Sequence, residues 1–581
     1  MDLDNAKGLF IKQIKPYKSD YAKRTSITCD TETVQGEPYT IQFNNGIDQE
    51  LIYCTKHDIT ESFLQYIKDN FESGMVIWFY NMSFDIPIIF YNEMKMFCQQ
   101  EVEFNVQTEY GKFTFRTVCD KVWFMDCTLD GIPFFIRDAF QYFHVSLEKV
   151  CNDLQLSNKK FERPDYIGKR KPYKEEKKYF EEYAIQDVIS LWEVVKWIKR
   201  RHISSNVPIS ISIADMSGKI LRKNFMEEGT SFDCLDDDIC TAALLSYHGG
   251  KSEYYLEHPA KINDVYEYDI VSAYPYAMTQ LPNFIGCKIR HLKYHSIGAV
   301  NHLHLPVGLY KISTNTVIKC KHWPIYTHSF KHSTYFFETW ITGYELAELL
   351  RDEEDIKIHE AYIIEENKNV QKNPLRDFTY YFFNKKQSAE NPTDRLFYKI
   401  VLNSLYGKFI SRIEKDGYEE EEAQWVGGAL FNPLIASLIT GFVRAYVHRI
   451  EDTLGVYHTS TDSFITKNPN GIKLFSTKDG LGSLEMKASG NAYIFRRKLY
   501  LICDKRDNII KSALHGFYAD EKMLWKMFKN RHDKYKSTYY NKMRMVRLKE
   551  AHISRDPDKI PFVWENKTTK LGIDWSGYKE L

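Results

Sequence analysis

Lys399, Asn403 and Tyr406 stand at K-x3-N-S-x-Y-G spacing within the stretch Lys399–Gly407. On a helix they fall at i, i+4 and i+7 and share one face. A cation, an amide and an aromatic ring on one face suit a nucleoside triphosphate. The ammonium meets phosphate charge, and the ring lies against base or sugar. Gly407 then lets the backbone bend close by. The plainer reading of the same residues is an amphipathic helix with a C-terminal glycine. Two acidic segments flank the stretch, Glu267–Pro275 (E-Y-D-I-V-S-A-Y-P) and Val456–Ile465 (V-Y-H-T-S-T-D-S-F-I). Each sets an Asp beside a short, β-prone apolar run. Two strands could bring Asp269 and Asp462 together, and adjacent carboxylates repel unless cations sit between them. Two divalent ions at such a pair clamp the attacking and leaving oxygens of a phosphoryl transfer. Taken alone, either Asp reads first as a turn residue at a strand end.

A second set of acids lies in the first third of the chain. Ile27–Glu32 is a strand pattern ending in D-x-E, with Asp30 and Glu32. Val76–Asp85 is an apolar strand pattern ending in N-x2-F-D, with Asn81, Phe84 and Asp85. Tyr183–Asp187 is Y-x3-D on a helix, which puts ring and carboxylate one turn apart on one face. Four acids from three segments can hold two cations, and a tyrosine beside them can orient a water for in-line attack.

The order D-x2-S-x-Y-P, K-x3-N-S-x-Y-G, T-D-S and then Lys498-Leu499-Tyr500 (K-x-Y) resembles the family B DNA polymerases. The compact form is similar to their protein-primed branch in small bacteriophages, adenoviruses and linear plasmids. The resemblance implies an α/β and α+β multidomain fold. An RNase H-like 3′–5′ exonuclease domain is followed by a right-hand polymerase of palm, fingers and thumb. It also implies Mg²⁺ as cofactor, with Mn²⁺ as the alternative, and two ions in each active site. The implied partners are primer-template DNA, dNTPs and a terminal priming protein. The chain would be a monomer acting in the cytoplasm of an infected or plasmid-bearing host cell.

The same resemblance assigns roles residue by residue. Asp269 and Asp462 become the palm metal ligands. Lys399 holds the triphosphate, Asn403 and Tyr406 lie against the nascent pair, and Tyr274 sits under the sugar and excludes a 2′-OH. Lys498 and Tyr500 hold the primer end. Asp30, Glu32, Asp85 and Asp187 map onto the exonuclease metal ligands, and Tyr183 onto its water-orienting residue. Asn81, Phe84, Thr128 and Leu129 map onto its single-strand contacts. Tyr247, Gly249 and Gly250, in Y-x-G-G, map onto a template contact. Ser272, Thr440 and Arg444 map onto further DNA contacts. Lys159 or Lys160 would assist the exonuclease, and spacing does not choose between them. Without the family, Thr128 is an ordinary strand or turn residue, the two glycines are a plain turn, and Arg444 is a solvated helix charge.

The elements that must position these residues divide at about residue 205. Residues 1–205 alternate strand and helix patterns and form the expected exonuclease domain, and the run Ser204–Ile213 is the boundary. Residues 206–581 form the polymerase. An insertion is expected around 280–375, where the branch contacts its priming protein. The fingers are expected around 376–410 and the thumb around 520–581. Between Glu521 and Glu550 ten Lys/Arg face three acids, interleaved with aromatics, as a duplex grip requires. Net charge is zero, so no global bias points to nucleic acid. The 11 cysteines include no C-x2-C pair, which argues against a zinc site or disulfide scaffold. The N-terminus shows no signal peptide pattern. Ala429–Val447 is the best candidate membrane span, but Asn432, Pro433 and Arg444 interrupt it, so a buried palm helix is expected there.

Three departures stand out. Ser460 takes the place of the first acid of the family's Y-x-D-T-D-S, and His458 takes the place of its Tyr, which bears on metal affinity and preference. Only residues 408–457 separate Gly407 from His458. That is short for the branch's second insertion, which encircles DNA, and Glu414–Gly428 would be its remnant. Other readings are a nucleic-acid-primed polymerase, an exonuclease whose C-terminal part only binds DNA, and a non-catalytic DNA-binding scaffold.

Overall fold

The computed structural model describes residues 13–98, 101–118, 124–233, 235–256, 258–293, 305–314, 337–352, 356–415, 424–533, 536–554, 559–575 and 577–581. An eight-stranded mixed sheet organises the first part. Its order is Gln49–Tyr53, Glu37–Asn44, Ser26–Val34, Val76–Phe79, Ile132–Asp138, Phe124–Leu129, Gly111–Val118, Glu101–Thr108. The strands Ser26–Val34, Val76–Phe79 and Ile132–Asp138 pair in parallel at its centre. Val-Ile-Trp-Phe at 76–79 is buried at every position, as a central parallel strand requires. The 29-residue helix Lys177–Ser205 packs on the first strands of this sheet.

A second sheet is antiparallel along its path Ile509–Leu514, Leu499–Cys503, Leu484–Arg496, Ala260–Ile270, Ser463–Thr466, His458–Ser460, Ser252–Tyr254. The terminal strand Lys579–Glu580 pairs in parallel with its central strand. The helix Pro433–Leu454 is buried along nearly its whole length. Asn432 caps it by accepting from the Ile435 N–H at 3.1 Å, and Gly455 ends it at φ +60°. Among the described residues no helix is long and apolar enough to cross a membrane.

Two helices, Pro374–Ser388 and Pro392–Ser404, form a hairpin beside this sheet. Each starts with an Asn cap, Asn373 or Asn391, followed by Pro in the first turn. In the sequence, between the strand Ala260–Ile270 and this hairpin, lies a four-stranded sheet of Lys288–Lys293, Ile356–Glu365, Gly308–Thr314 and Phe337–Thr342 with the helix Gly343–Asp352. The stretch Glu414–Gly428, expected as a remnant of the second insertion, overlaps a two-stranded hairpin of Arg412–Lys415 and Gln424–Gly427, whose tip, 416–423, lies outside the described residues. The C-terminal part holds the helix Glu521–Lys529 and the hairpin Tyr539–Met545 with Trp564–Lys570.

Packing crosses the line at residue 205. One apolar core joins Trp78, Tyr142 and Leu191 to Ile213, Met278 and Leu434. Ile14 bridges to Phe232, and the Tyr17 N–H donates to the Arg222 carbonyl. At the other end, Phe562 is buried in the core of the first sheet. Residue 205 separates two sheets but not two independent cores.

Candidate functional site

Asp269 ends the central strand of the second sheet, opposite Ser463 on one neighbour and Glu485 on the other. Asp462 sits in the tight turn between His458–Ser460 and Ser463–Thr466. Thr461 in that turn has φ +64°, a strained value that its surroundings hold in place. Its N–H donates to the Lys251 carbonyl at 2.7 Å, and the Ile270 N–H donates to the Asp462 carbonyl at 2.8 Å. Beneath the turn, the Lys251 ammonium meets Glu451 at 2.5 Å, with both side chains buried, and Thr459 donates to the same carboxylate. Gly250 is part of this packing. A Cβ there would stand 2.6 Å from Thr461 Cγ2 and 2.8 Å from the Tyr274 hydroxyl, whereas one on Gly249 would meet nothing. The packing around the Asp462 turn thus leaves no ready space for a side chain at Gly250.

Asp269 and Asp462 share a cleft of about 350 Å³ with Tyr274, Lys399, Asn403 and Tyr406. Lys399 and Asn403 share the expected helical face, but the helix stops at Ser404 and Tyr406 begins a separate 3₁₀ turn, Tyr406–Ile410. Tyr274 and Tyr406 stack with centroids 4.0 Å apart and planes 5° from parallel. Gly407 has open space around it and no positive φ, so neither a close approach nor a left-handed turn requires it. Burial, followed by Asp462, pushes the Asp269 carboxyl up to about 7, against the pull of Lys487. Burial also raises Asp462, while Lys487 and Lys498 oppose the rise. Two mutually repelling acids at a cleft edge are a donor set that suits divalent cations.

Three cleft residues escaped the sequence reading. Lys386, on the helix preceding that of Lys399, donates to Ser272 Oγ at 3.2 Å, and burial and then Lys399 lower its pKa. Lys487 lies 2.5 Å from Glu485 and 3.7 Å from Asp269. Ser272, expected as a DNA contact, also lines this cleft, where its Oγ accepts from Lys386.

Several expected DNA contacts are turned inward. Arg444 is fully buried. Its guanidinium meets Glu345 at 2.7 Å and donates to the carbonyls of His248 and Gly249. It holds the Y-x-G-G segment against the four-stranded sheet and is not available to phosphate. Thr440 is buried one turn away, its hydroxyl donating to the Ser437 carbonyl. Tyr500 is buried, and its hydroxyl proton goes to Glu267 at 2.7 Å. Leu129 is buried in the first sheet's core. A helix or strand pattern sets a residue's face, but tertiary packing decides whether that face meets solvent. Arg444→Ala should strand the Glu345 carboxylate in the interior and cost about 3–5 kcal/mol, read by denaturant melts. Adding Glu345→Gln should return part of that loss.

In the first sheet, Asp30 and Glu32 lie two apart on Ser26–Val34, and the helix Lys177–Ser205 brings Asp187 and Tyr183 to them. Ligand atoms of Asp30, Glu32 and Asp187 lie within 4.8 Å of one another. Asp187 Oδ1 is buried with no hydrogen-bond partner. Burial, followed by the neighbouring acids, pushes Asp30 up to about 7 and Glu32 to about 8. An orphaned acceptor among three crowded acids fits a divalent cation. Asp85 stands apart from this trio: its Oδ1 accepts from the Thr31 N–H at 3.1 Å and the Thr31 hydroxyl at 2.8 Å.

Lys160, not Lys159, reaches the cluster, at 2.6 Å from Asp187 Oδ2 and 5.5 Å from the Tyr183 ring centre. Burial would lower its ammonium, but Asp187 and Asp30 outweigh that and raise it. Asn81 lines the adjoining cleft, at φ +70°, with its N–H on Asp138 at 2.7 Å. Phe84 meets Phe562 edge to face at 4.9 Å, so the C-terminal part covers it. Thr128 is half-buried on an inner strand, and Tyr247 packs against the large core.

The family model for DNA polymerase type B, organellar and viral, matches residues 71–422. That span includes Asp85, Asp187, Asp269 and Lys399 and leaves Asp30, Glu32 and Asp462 outside. A DNA polymerase of Acidianus bottle-shaped virus (isolate Italy/Pozzuoli) is 28% identical over 302 residues, 50% of this chain and 42% of that protein. A DNA-directed DNA polymerase of Enterobacteria phage PRD1 is 28% identical over 170 residues, 24% of this chain and 30% of its own. The matches thus span less than half the length of these curated relatives. Among solved structures, Phi29 DNA polymerase complexed with primer-template DNA has a TM-score of 0.66 at 15% identity, covering 94% of this chain and all of that one. The single-stranded DNA complex of the same enzyme gives 0.65 at 15% identity, with the same coverage. These two likenesses concern the fold.

Proposed function

This chain belongs to the organellar and viral type B DNA polymerases, and from that premise we propose that it adds deoxynucleotides to a 3′-OH on a DNA template and trims mispaired 3′ ends at a separate site. The observation that carries the reading is the single cleft holding Asp269, Asp462, Lys386, Lys399 and the stacked Tyr274–Tyr406 pair. Asp269 and Asp462 would hold Mg²⁺ or Mn²⁺, which when bound supplies the positive charge that a transferring phosphoryl group needs. Lys399 and Lys386 meet the triphosphate, and Asn403 and Tyr406 lie against the new pair. In the other site Asp30, Glu32 and Asp187 are the metal-holding acids, with Asp85 behind them on Thr31. Tyr183 orients the water, and Lys160 fixes Asp187.

The finer reading is that a priming protein supplies the first 3′-OH. Its support is the four-stranded sheet that lies in the sequence between the Asp269 and Lys399 segments. A primed single-stranded circle tests the activity. The purified chain with Mg²⁺ and dNTPs should convert it to duplex, and failure to extend any primer overturns the reading. Sugar choice follows from the tyrosine pair. Tyr274→Val removes the ring that closes the sugar's side of the cleft and should raise the ribonucleotide-to-deoxynucleotide ratio of kcat/KM by about tenfold, worth about 1.4 kcal/mol. An unchanged ratio would move the gate to another residue.

A further inference from the structure

His458 begins the short strand that leads into the Asp462 turn. It is 1% exposed. Its ring lies near Tyr500 and Tyr254, at 5.1 Å and 6.3 Å between centroids. Its Nε2 accepts the backbone N–H of Lys498 at 3.1 Å. An accepting nitrogen carries no proton, so the neutral ring keeps its hydrogen on Nδ1. Only an acceptor can meet that N–H.

The donor needs such an anchor. Lys498 stands in the connection between the strands Leu484–Arg496 and Leu499–Cys503 at φ +57°, a conformation costing a non-glycine residue on the order of 1 kcal/mol. On its other side the Lys498 carbonyl accepts from the His515 N–H at 3.1 Å. The backbone of Lys498 is thus held by an imidazole four residues before Asp462. Tyr500 is not free to share the task, since its hydroxyl is committed to Glu267.

We propose that His458 is a positioning residue that locks the Lys498 turn to the catalytic hairpin and so aims the Lys498 ammonium at the phosphates of the primer's 3′-terminal nucleotides. The inference deepens the polymerase reading and rests on it.

His458→Phe keeps a ring and removes the acceptor, and His458→Gln restores an acceptor. The measurements are the Kd for a primer-template duplex, KM and kcat for extension, digestion of a single-stranded oligonucleotide, and Tm. His458→Phe should bind primer-template about tenfold more weakly, the scale of one lost hydrogen bond and a displaced phosphate contact. KM for the duplex should rise by a similar factor, with kcat at saturating DNA much less affected, and the salt dependence of binding should become shallower. Single-strand digestion should be unchanged, and His458→Gln should recover most of the affinity. In a Lys498→Met background, His458→Phe should add little. Equal binding by the Phe and Gln variants overturns the proposal, as does full additivity with Lys498→Met. A drop in Tm with equal loss of duplex binding and single-strand digestion also overturns it, by showing a structural role alone. If the parent chain extends no primer, the polymerase reading falls, and the binding measurements still decide the role of His458.

Discussion

Asp462→Ala should lower nucleotide incorporation by about 10⁴-fold or more while leaving digestion of single strands intact. The size of the effect follows from what the carboxylate does. Phosphoryl transfer has little covalent chemistry for the protein to perform, so charge stabilisation at the reacting centre supplies most of the barrier reduction. In the proposed function Asp269 and Asp462 have that task, in the cleft that also holds Lys399 and Lys386. The fold should survive the change. The turn is held through backbone groups, the Thr461 N–H on the Lys251 carbonyl and the Ile270 N–H on the Asp462 carbonyl, and alanine keeps both. Removing a carboxyl that burial raises also relieves an unfavourable charge, so Tm should not fall. Steady-state primer extension, with single-strand digestion as the internal control, checks it. Near-parent extension by Asp462→Ala would falsify the palm assignment.

What the sequence made legible was local. Lys399 and Asn403 fall on one face because helical periodicity puts them there, and the structure brings them to one cleft with Tyr406, which lies just past the helix end. Asp30 and Glu32 share a strand face for the same reason at period two. What stayed hidden depends on register and packing between distant segments. Glu485 faces Asp269 only because Leu484–Arg496 pairs with Ala260–Ile270 in one register, and Lys487 follows from that pairing. Lys386 enters because two helices fold back on each other across the link at 389–391. Arg444 has the residue type and helical setting of a phosphate contact. Its partner, Glu345, comes from the distant helix Gly343–Asp352, whose docking the helix pattern cannot reveal. Lys159 and Lys160 are neighbours in a loop without periodicity, so only the fold decides which ammonium meets Asp187.

The double variant Asp30→Ala, Glu32→Ala should lose 3′–5′ digestion by about 10³-fold or more and keep polymerisation, because the two sites draw on separate acids in separate sheets. It should also change the chain's response to pH. In the folded protein Asp30 is held at about 7 and Glu32 at about 8, by burial first and by neighbouring acids next. In the unfolded chain both return to about 4. Between those limits the folded state binds more protons than the unfolded one, so stability must fall as pH rises. The contribution is complete below about pH 4 and is lost as pH climbs through 7 to 8. Each unit of displacement is worth about 1.4 kcal/mol, so denaturant melts in a chelator should show the parent weakening from pH 5 to pH 8.5. The double variant should lack much of that slope. Asp269, also held at about 7, should leave a remainder. Added Mg²⁺ competes with those protons, so it should raise the parent's Tm more at pH 8 than at pH 6. If the chelated parent gained stability over that range, the trio would be a set of solvated acids rather than a crowded site. If the double variant still trimmed a mispaired 3′ end, the digestion site would lie elsewhere in the chain.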